Sequence, residues 1–528
     1  MKKNLKEKLT ERLRNFLCRS FGEDFWTSFK IIAVCCLQWG DTGKGKIVHF
    51  LAWLWAHVVV RCGGGDNAGH TVIHKGKEMV FHLLPCGIPF DDQGVINVIA
   101  SGVVFYPKAG VDEITLALTN GLTCDNLKIA LNAKMITPDL IFFDRFSEQK
   151  AGKGRIGTTG KGIGPTYTNF VNRKALILND ILNPKLFRAK LSEYMAPVIE
   201  RLKTLDEVSR EAAKKILFHE HLESGLYYSE ADVFDVEAII TKYLEYGEFL
   251  RPYIFDTDKM VQGFVGKKNI LLEGAQGRLL SVNHGTYPFV TSSDCSPAGM
   301  AQGTGLRETD INVSFGIIKG FYMTRVGKGS FPTEMGGEES EVWCNETGSR
   351  DQEDKDFVVS NINHENSFFQ GIAIRRCGRE YGATTGRPRR TGWIDLPLLR
   401  HALASGGNNI TFTKLDVLTG VKKIKVCYAY EYVGPDYDYG GDVNLIKGDI
   451  IETAIVLPEI LPYCKPFYKE FPGWNKDIRK AKYFSDLPVN LVKILKYIFQ
   501  EANVKAVPRI ISVGPGPEET VFVCPGDL

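Results

Sequence analysis

Residues 31–37, Ile-Ile-Ala-Val-Cys-Cys-Leu, run apolar without a break and lead within two residues into Gly40-Asp41-Thr42-Gly43-Lys44-Gly45-Lys46. A short apolar run bounded by Gly reads as a strand buried on both faces. The Gly40, Gly45 and Lys46 spacing matches G-x-x-x-x-G-K, the loop whose backbone N–H groups cradle phosphate at the start of a helix. Position 47 is Ile rather than Ser or Thr, so the usual magnesium hydroxyl is missing. Asp41, inside the loop, is the candidate oxygen ligand in its place, since magnesium takes one or two carboxylates beside phosphate oxygens. Taken alone, the same residues also suit a Gly-rich turn that meets no phosphate.

The rest of the chain repeats this alternation. Helical spacing occurs at Leu191, Met195, Ile199, Leu202 and Leu205 and again around 236–250, while residues 270–272, 410–412 and 510–511 read as strands running into polar or Gly-containing loops. Strands alternating with helices predict an α/β architecture with ligands at the carboxyl ends of the strands. The 528 residues allow one large domain or two to four ordinary ones. A net charge of +3 is too balanced for a general nucleic-acid-binding surface, and no apolar run approaches the ~20 residues of a membrane span. Twelve cysteines without a C-x-x-C pair fit a reducing, cytoplasmic setting better than a disulfide framework or a zinc site.

Two segments stand outside this pattern. Residues 1–30 carry eight Lys/Arg and four Asp/Glu, with Leu5, Leu9, Leu13, Phe16 and Leu17 at helical spacing. They predict an amphipathic helix resting on the body or on a partner rather than a targeting peptide. Residues 338–356 hold eight acids against two basic residues, within a stretch of about 336–376 expected to be a solvated surface insertion.

Five further clusters carry chemistry. In 63–71, Gly-Gly-Gly-Asp-Asn-Ala-Gly-His-Thr, small residues permit close backbone approach, and His70 can donate to a developing anion; a lone His is also commonly structural. Residues 157–165, Gly-Thr-Thr-Gly-Lys-Gly-Ile-Gly-Pro, suit phosphate or base contacts. In Glu273-Gly274-Ala275-Gln276-Gly277, followed by His284-Gly285-Thr286-Tyr287-Pro288, Gln276 offers an amide to a base edge. Thr384-Thr385-Gly386-Arg387-Pro388-Arg389-Arg390 places three arginines where they can grip a small dicarboxylate or phosphate, or simply form a basic surface run. In Thr413-Lys414-Leu415-Asp416 a carboxylate can accept from the N1–H and exocyclic amine of guanine, which adenine does not offer.

Together with Gln38-Trp39, Thr324-Arg325-Val326-Gly327, Phe331-Pro332-Thr333-Glu334 and Phe471-Pro472-Gly473-Trp474, the order and spacing of these motifs resemble the adenylosuccinate synthetase family from about residue 31 to the C-terminus. The resemblance implies a single large α/β domain, residues 31–528, around a mostly parallel central sheet with a P-loop-like nucleotide site. It also implies a homodimer, one Mg2+ per subunit, and GTP-dependent ligation of L-aspartate to inosine monophosphate (IMP) through a 6-phosphoryl intermediate. No nucleic-acid or membrane partner is implied.

By the same resemblance, Asp41, Lys44, His70 and Gln276 are catalytic, with Asp41 and the Gly69 carbonyl on magnesium. IMP is held by Asp41, Lys44, Asn67, His70, Thr159, Gln276, Thr291 and Arg387, while Arg173 reaches the neighbouring subunit's 5′-phosphate. Aspartate falls to Ala383, Thr384, Thr385, Gly386, Arg387 and Arg389. GTP falls to Gly40, Asp41, Thr42, Gly43, Lys44, Gly45, Lys46, Gly69, His70, Thr71 and Arg389, with Lys414, Leu415, Asp416, Ser512, Val513 and Gly514 framing guanine. Departures from the family pattern are Thr42 for Glu, Gly63 for Gln, Asp66 for His or Asn, Asn283 for Asp, Val513 for Thr and Ile177 for Arg. Two alternatives stand beside this reading: the same chemistry on a guanosine monophosphate, which resembles a viral branch with Ser in place of the catalytic Asp, and a non-catalytic GTP-binding paralogue.

Overall fold

The computed structural model describes residues 2–207, 209, 234–382, 386–438 and 444–528. At its centre lies a ten-stranded sheet. Strand Ile31–Cys36 runs parallel between Ile270–Glu273 on one side and Val313–Lys319 on the other. Beyond Ile270–Glu273 follow Val58–Arg61, Ile96–Ile99, Leu127–Ala130 and Ile254–Phe255; beyond Val313–Lys319 follow Asn409–Thr413, Val507–Ser512 and Thr520–Phe522. Each of these pairings is parallel except the last, where Thr520–Phe522 turns back antiparallel on Val507–Ser512.

The apolar run at 31–36 is unbroken because the sheet is covered on both faces. Ile32 and Val34 point into one core with Val59, Phe315 and Ile317; Ile31, Ala33 and Cys35 point into the other with Val58, Val60 and Ile318. Period-two alternation thus delivers apolar side chains to both layers. A smaller five-stranded sheet, built on Tyr322–Arg325, Arg390–Asp395, Lys423–Tyr432, Ile450–Ile451 and Cys464–Pro472, packs within the second core.

The N-terminal helix Lys2–Phe21 lies against the body: Leu9, Leu13, Phe16 and Leu17 are buried in the first core, while Leu5 is exposed. Phe16 stacks on Phe522, ring centroids 4.7 Å apart, so the helix covers the antiparallel edge of the sheet. Among the described residues no helix is long and apolar enough to cross a membrane.

The acidic stretch corrects the sequence expectation. It forms helices Gly337–Val342 and Arg350–Asp356 and leads into Ser367–Gly378. Glu338, Glu339, Glu346, Asp351, Asp354 and Asp356 are exposed as a solvated insertion requires, but Glu353 is fully buried and Glu341 half-buried. The reason is ionic: Glu353 faces Arg375, which is itself 1% exposed.

Candidate active site

The loop after the central strand turns twice through left-handed backbone. Gly40, Asp41 and Gly43 have φ of 85°, 52° and 76°, and helix Lys44–Leu54 starts at Gly43. A Cβ at Gly45 would meet the Thr71 carbonyl at 3.0 Å, so glycine here lets the helix start press against strand His70–His74. The loop thereby comes beside the imidazole. Lys44 is buried and donates to the Gln276 carbonyl at 2.7 Å, tying the phosphate loop to the loop after Ile270–Glu273.

That second loop carries Gln276, whose Nε2 donates to Asn67 Oδ1 at 2.9 Å, while its Oε1 is buried without a hydrogen-bond partner. Asn67 in turn accepts from Gly65 N at 3.1 Å. An unpartnered buried amide oxygen beside an Asn is a place for a ligand donor.

His70 is buried against Glu273 through Nδ1, and Arg61 Nη1 lies 3.0 Å from the same nitrogen. Burial and then Arg61 push the imidazole down to about 4, which leaves it neutral near pH 7. Burial alone would raise the Glu273 carboxyl, but His70 and Arg61 outweigh it and hold it at about 2. Cys86 N donates to Glu273 Oε2 at 2.9 Å and fixes the carboxylate in place. His82 Nδ1 contacts the Ala68 carbonyl at 2.5 Å, anchoring the peptide before Gly69.

On the opposite side, Arg389 Nε pairs with Asp41 Oδ2 at 2.9 Å and Arg389 Nη1 with Glu380 Oε2 at 2.8 Å. Glu380 also receives Lys319 at 2.6 Å, Lys414 at 2.8 Å and the Tyr322 hydroxyl at 2.8 Å. Burial pushes Glu380 up, yet Lys319, Lys414 and Arg389 together hold it well below the usual carboxylate range. Lys319 is driven down to about 7 by burial against the pull of Glu380. This hub joins the arginine loop, the Thr413–Asp416 turn and the phosphate loop.

The fourth edge is set by Lys46. Its Nζ donates to Ser512 Oγ at 2.6 Å, Gly514 O at 2.5 Å and Glu519 O at 2.9 Å, and burial lowers it to about 7. Asp416 and Glu519 lie close enough to oppose that shift, so residues 512–514 and Asp416 both stand near the same ammonium. Thr413 Oγ1 donates to the Thr42 carbonyl at 2.6 Å, joining this edge to the loop. Burial raises the Asp416 carboxyl. Leu415, Val513 and Gly514 are buried around it.

The remaining residues picked from the sequence are less enclosed. Thr71, Thr159, Gly386 and Arg387 are exposed and Thr291 is half-buried. Arg173 has φ 59° and stands exposed just beyond helix Ile163–Val171, next to the exposed Phe170 and Val171. Ala383, Thr384 and Thr385 lie outside the described residues. Sequence reasoning passed over Arg61, Glu273, Lys319 and Glu380. For the first three the available signal was a charge closing an otherwise apolar strand: Val-Val-Val-Arg61, Ile-Leu-Leu-Glu273 and Ile-Ile-Lys319.

The adenylosuccinate synthetase family model matches residues 33–521. The adenylosuccinate synthetase of Halothermothrix orenii is 38% identical over 488 residues, covering 92% of this chain and 96% of its own length. That of Caldanaerobacter subterraneus subsp. tengcongensis is 39% identical over 490 residues, covering 92% and 97%. The structure of fully ligated adenylosuccinate synthetase from Plasmodium falciparum superposes with a TM-score of 0.73 at 29% identity, over 94% of this chain and all of that one. With the model spanning the phosphate loop, the His70 cluster and the Glu380 hub alike, the chain belongs to the adenylosuccinate synthetase family.

Proposed function

We propose that the protein ligates L-aspartate to IMP at the expense of GTP, giving adenylosuccinate, GDP and phosphate. The observation that carries this reading is the meeting at Asp41: a carboxylate at the turn of the phosphate loop, paired with the arginine of the Arg387–Arg389 loop. A base between a triphosphate cradle and a carboxylate-binding loop is what coupling phosphoryl transfer to amine attack requires.

In this reading Asp41 takes the N1 proton of IMP, and the 6-oxygen then attacks the γ-phosphorus as GDP leaves. His70 faces the transferring phosphoryl group, and Lys44 stands at the same cradle. Incoming phosphate charge opposes the burial and the Arg61 charge that keep the imidazole neutral, so His70 gains its proton with the nucleotide in place. The aspartate amine next displaces phosphate from C6, losing a proton as the C–N bond forms. Gln276 and Asn67 hold the base edge, and Arg387 and Arg389 take the aspartate carboxylates. Positioning and electrostatics carry most of such a transfer.

The donor set fits magnesium. Asp41 offers a partly exposed carboxylate and Gly69 a backbone carbonyl, both hard oxygen donors. Bound there, the ion would neutralise charge developing on the triphosphate as it reacts. Asp416 accepts from guanine N1–H and the exocyclic amine, which favours GTP over ATP. Arg173, beside the exposed Phe170 and Val171, supports a homodimer in which each subunit lends an arginine to its neighbour. Twelve free cysteines suit a reducing cytoplasm.

The test is an assay of the purified protein with IMP, aspartate and GTP, following adenylosuccinate and phosphate in equal amounts. Asp41→Asn is expected to abolish turnover while leaving the fold intact. Turnover only with a guanosine monophosphate, or GTP binding without phosphate release under saturating substrates, overturns the reading.

A further inference from the structure

Glu353 lies inside the protein although the other acids of its helix, Arg350–Asp356, are exposed. Its Oε1 accepts from Trp343 Nε1 at 2.7 Å and Arg375 Nη2 at 2.5 Å; its Oε2 accepts from the Tyr381 hydroxyl at 2.7 Å and Arg375 Nε at 3.0 Å. A buried carboxylate is tolerated only when paired and hydrogen-bonded in this way.

Two of those partners stand on opposite sides of one loop neck. Tyr381 faces Pro388 in an antiparallel bridge, and Gly382 N donates to the Arg387 carbonyl at 2.8 Å. On the far strand of the neck, Arg375 Nη1 donates to the Arg389 carbonyl at 2.9 Å. One carboxylate therefore ties both strands, one through a phenol and the other through a guanidinium. Arg389, so held, reaches Asp41. The acidic stretch grips neighbouring backbone as well. Glu341 Oε1 accepts from Gly329 N at 3.3 Å and pairs with Arg390 at 3.2 Å, and the Asn345 carbonyl accepts from Arg155 at 3.4 Å, just before residues 157–160.

We infer that the acidic segment is a brace for the aspartate site, with Glu353 as the positioning residue that fixes the neck of the loop bearing Arg387 and Arg389. The inference rests on assigning that loop to aspartate. A neck held in advance spares the cost of fixing Arg389 when the ligand binds. Its effect therefore falls on aspartate recognition rather than on binding of the two nucleotides.

Glu353→Gln keeps volume and removes the charge; Tyr381→Phe removes a single hydrogen bond and leaves the Glu353–Arg375 pair. Both are made in the full-length enzyme, with thermal melting recorded alongside kinetics in which each substrate is varied in turn. Glu353→Gln is expected to raise the aspartate KM about tenfold, with the IMP and GTP values within about twofold. Tyr381→Phe moves the same KM in the same direction, and the double variant is no worse than Glu353→Gln alone. If Glu353→Gln does not fold, Tyr381→Phe decides by the same split. A uniform rise in all three KM values, or a fall in kcat alone, overturns the brace. Arg387→Leu separates the two layers of the argument. An unchanged aspartate KM in that variant overturns the aspartate loop and the brace with it. A raised value there, beside unchanged values in both Glu353→Gln and Tyr381→Phe, overturns the brace alone.

Discussion

Replacing Glu273 by Gln isolates the charge behind His70. The amide is isosteric and its carbonyl can keep the 2.9 Å bond from Cys86 N, so the local backbone has no reason to move. What disappears is the negative charge facing His70 Nδ1 and, 3.5 Å away, Arg61 Nη1. Arg61 is 1% exposed, and a guanidinium does not shed its proton to escape burial. Its other hydrogen bond goes to a neutral group, the His82 carbonyl at 3.3 Å. Breaking one side of such a pair costs about 3–5 kcal/mol, read as a shift in the urea unfolding midpoint. The rate suffers separately. Without Glu273 the imidazole loses both the acceptor that orients it and the anion that stabilises its protonated form, so kcat should fall about 10²–10³-fold. Steady-state formation of adenylosuccinate at saturating IMP, aspartate and GTP measures this directly. A double variant with His70→Asn is the sharper assay: if Glu273 acts through His70, the pair is no slower than His70→Asn alone. A Glu273→Gln enzyme with wild-type kcat, or a double variant slowed by the full product of the single losses, refutes the orienting role.

Three other perturbations probe separate parts of the molecule. Asp416→Asn cannot accept from both guanine donors at once, so the GTP KM should rise about tenfold to a hundredfold and the preference over inosine triphosphate should vanish; retained preference would place the base elsewhere. Asp395 accepts from Leu398 N at 3.0 Å and Tyr430 OH at 2.6 Å, leaves Oδ2 without a partner, and is raised by burial from 3.8 to about 7. Its folded state favours the proton, so the stability it contributes is full below about pH 4 and is lost as pH rises to about 7, a swing of about 4 kcal/mol. Asp395→Asn keeps both hydrogen bonds and should flatten that slope in urea midpoints measured from pH 4 to 8; an unchanged slope would assign the dependence to another group. Leu13→Ala opens a fully buried site in the N-terminal helix and should cost about 2–5 kcal/mol with kcat unaltered. A negligible cost would mean that the helix does not hold to the sheet edge in solution.

What could be read from the sequence, and what could not, divides along a physical line. The Gly40–Lys46 loop was legible because phosphate binding by consecutive backbone N–H groups is a property of one segment, written in adjacent residues. The central strand was legible for the same reason: burial on both faces leaves an apolar run with no partner to identify. Glu273 was visible as a charge closing an apolar strand, which demands a counter-ion, but that partner could not be named. His70 and Arg61 lie 203 and 212 positions away, and only the parallel registers of Ile270–Glu273 beside Val58–Arg61 bring them together. Lys319 and Glu380, 61 positions apart, were hidden in the same way. Glu353 was concealed differently. Counting acids over 338–356 averages the buried Glu353 and the half-buried Glu341 with six solvated ones, and only the register of a seven-residue helix sets Glu353 on Arg375. The motifs therefore identify which groups meet substrate, whereas ion pairs between distant segments decide how those groups are charged and held. It follows that two members of this family can share every ligand loop and still differ in rate and affinity, wherever a carboxylate behind the site has changed.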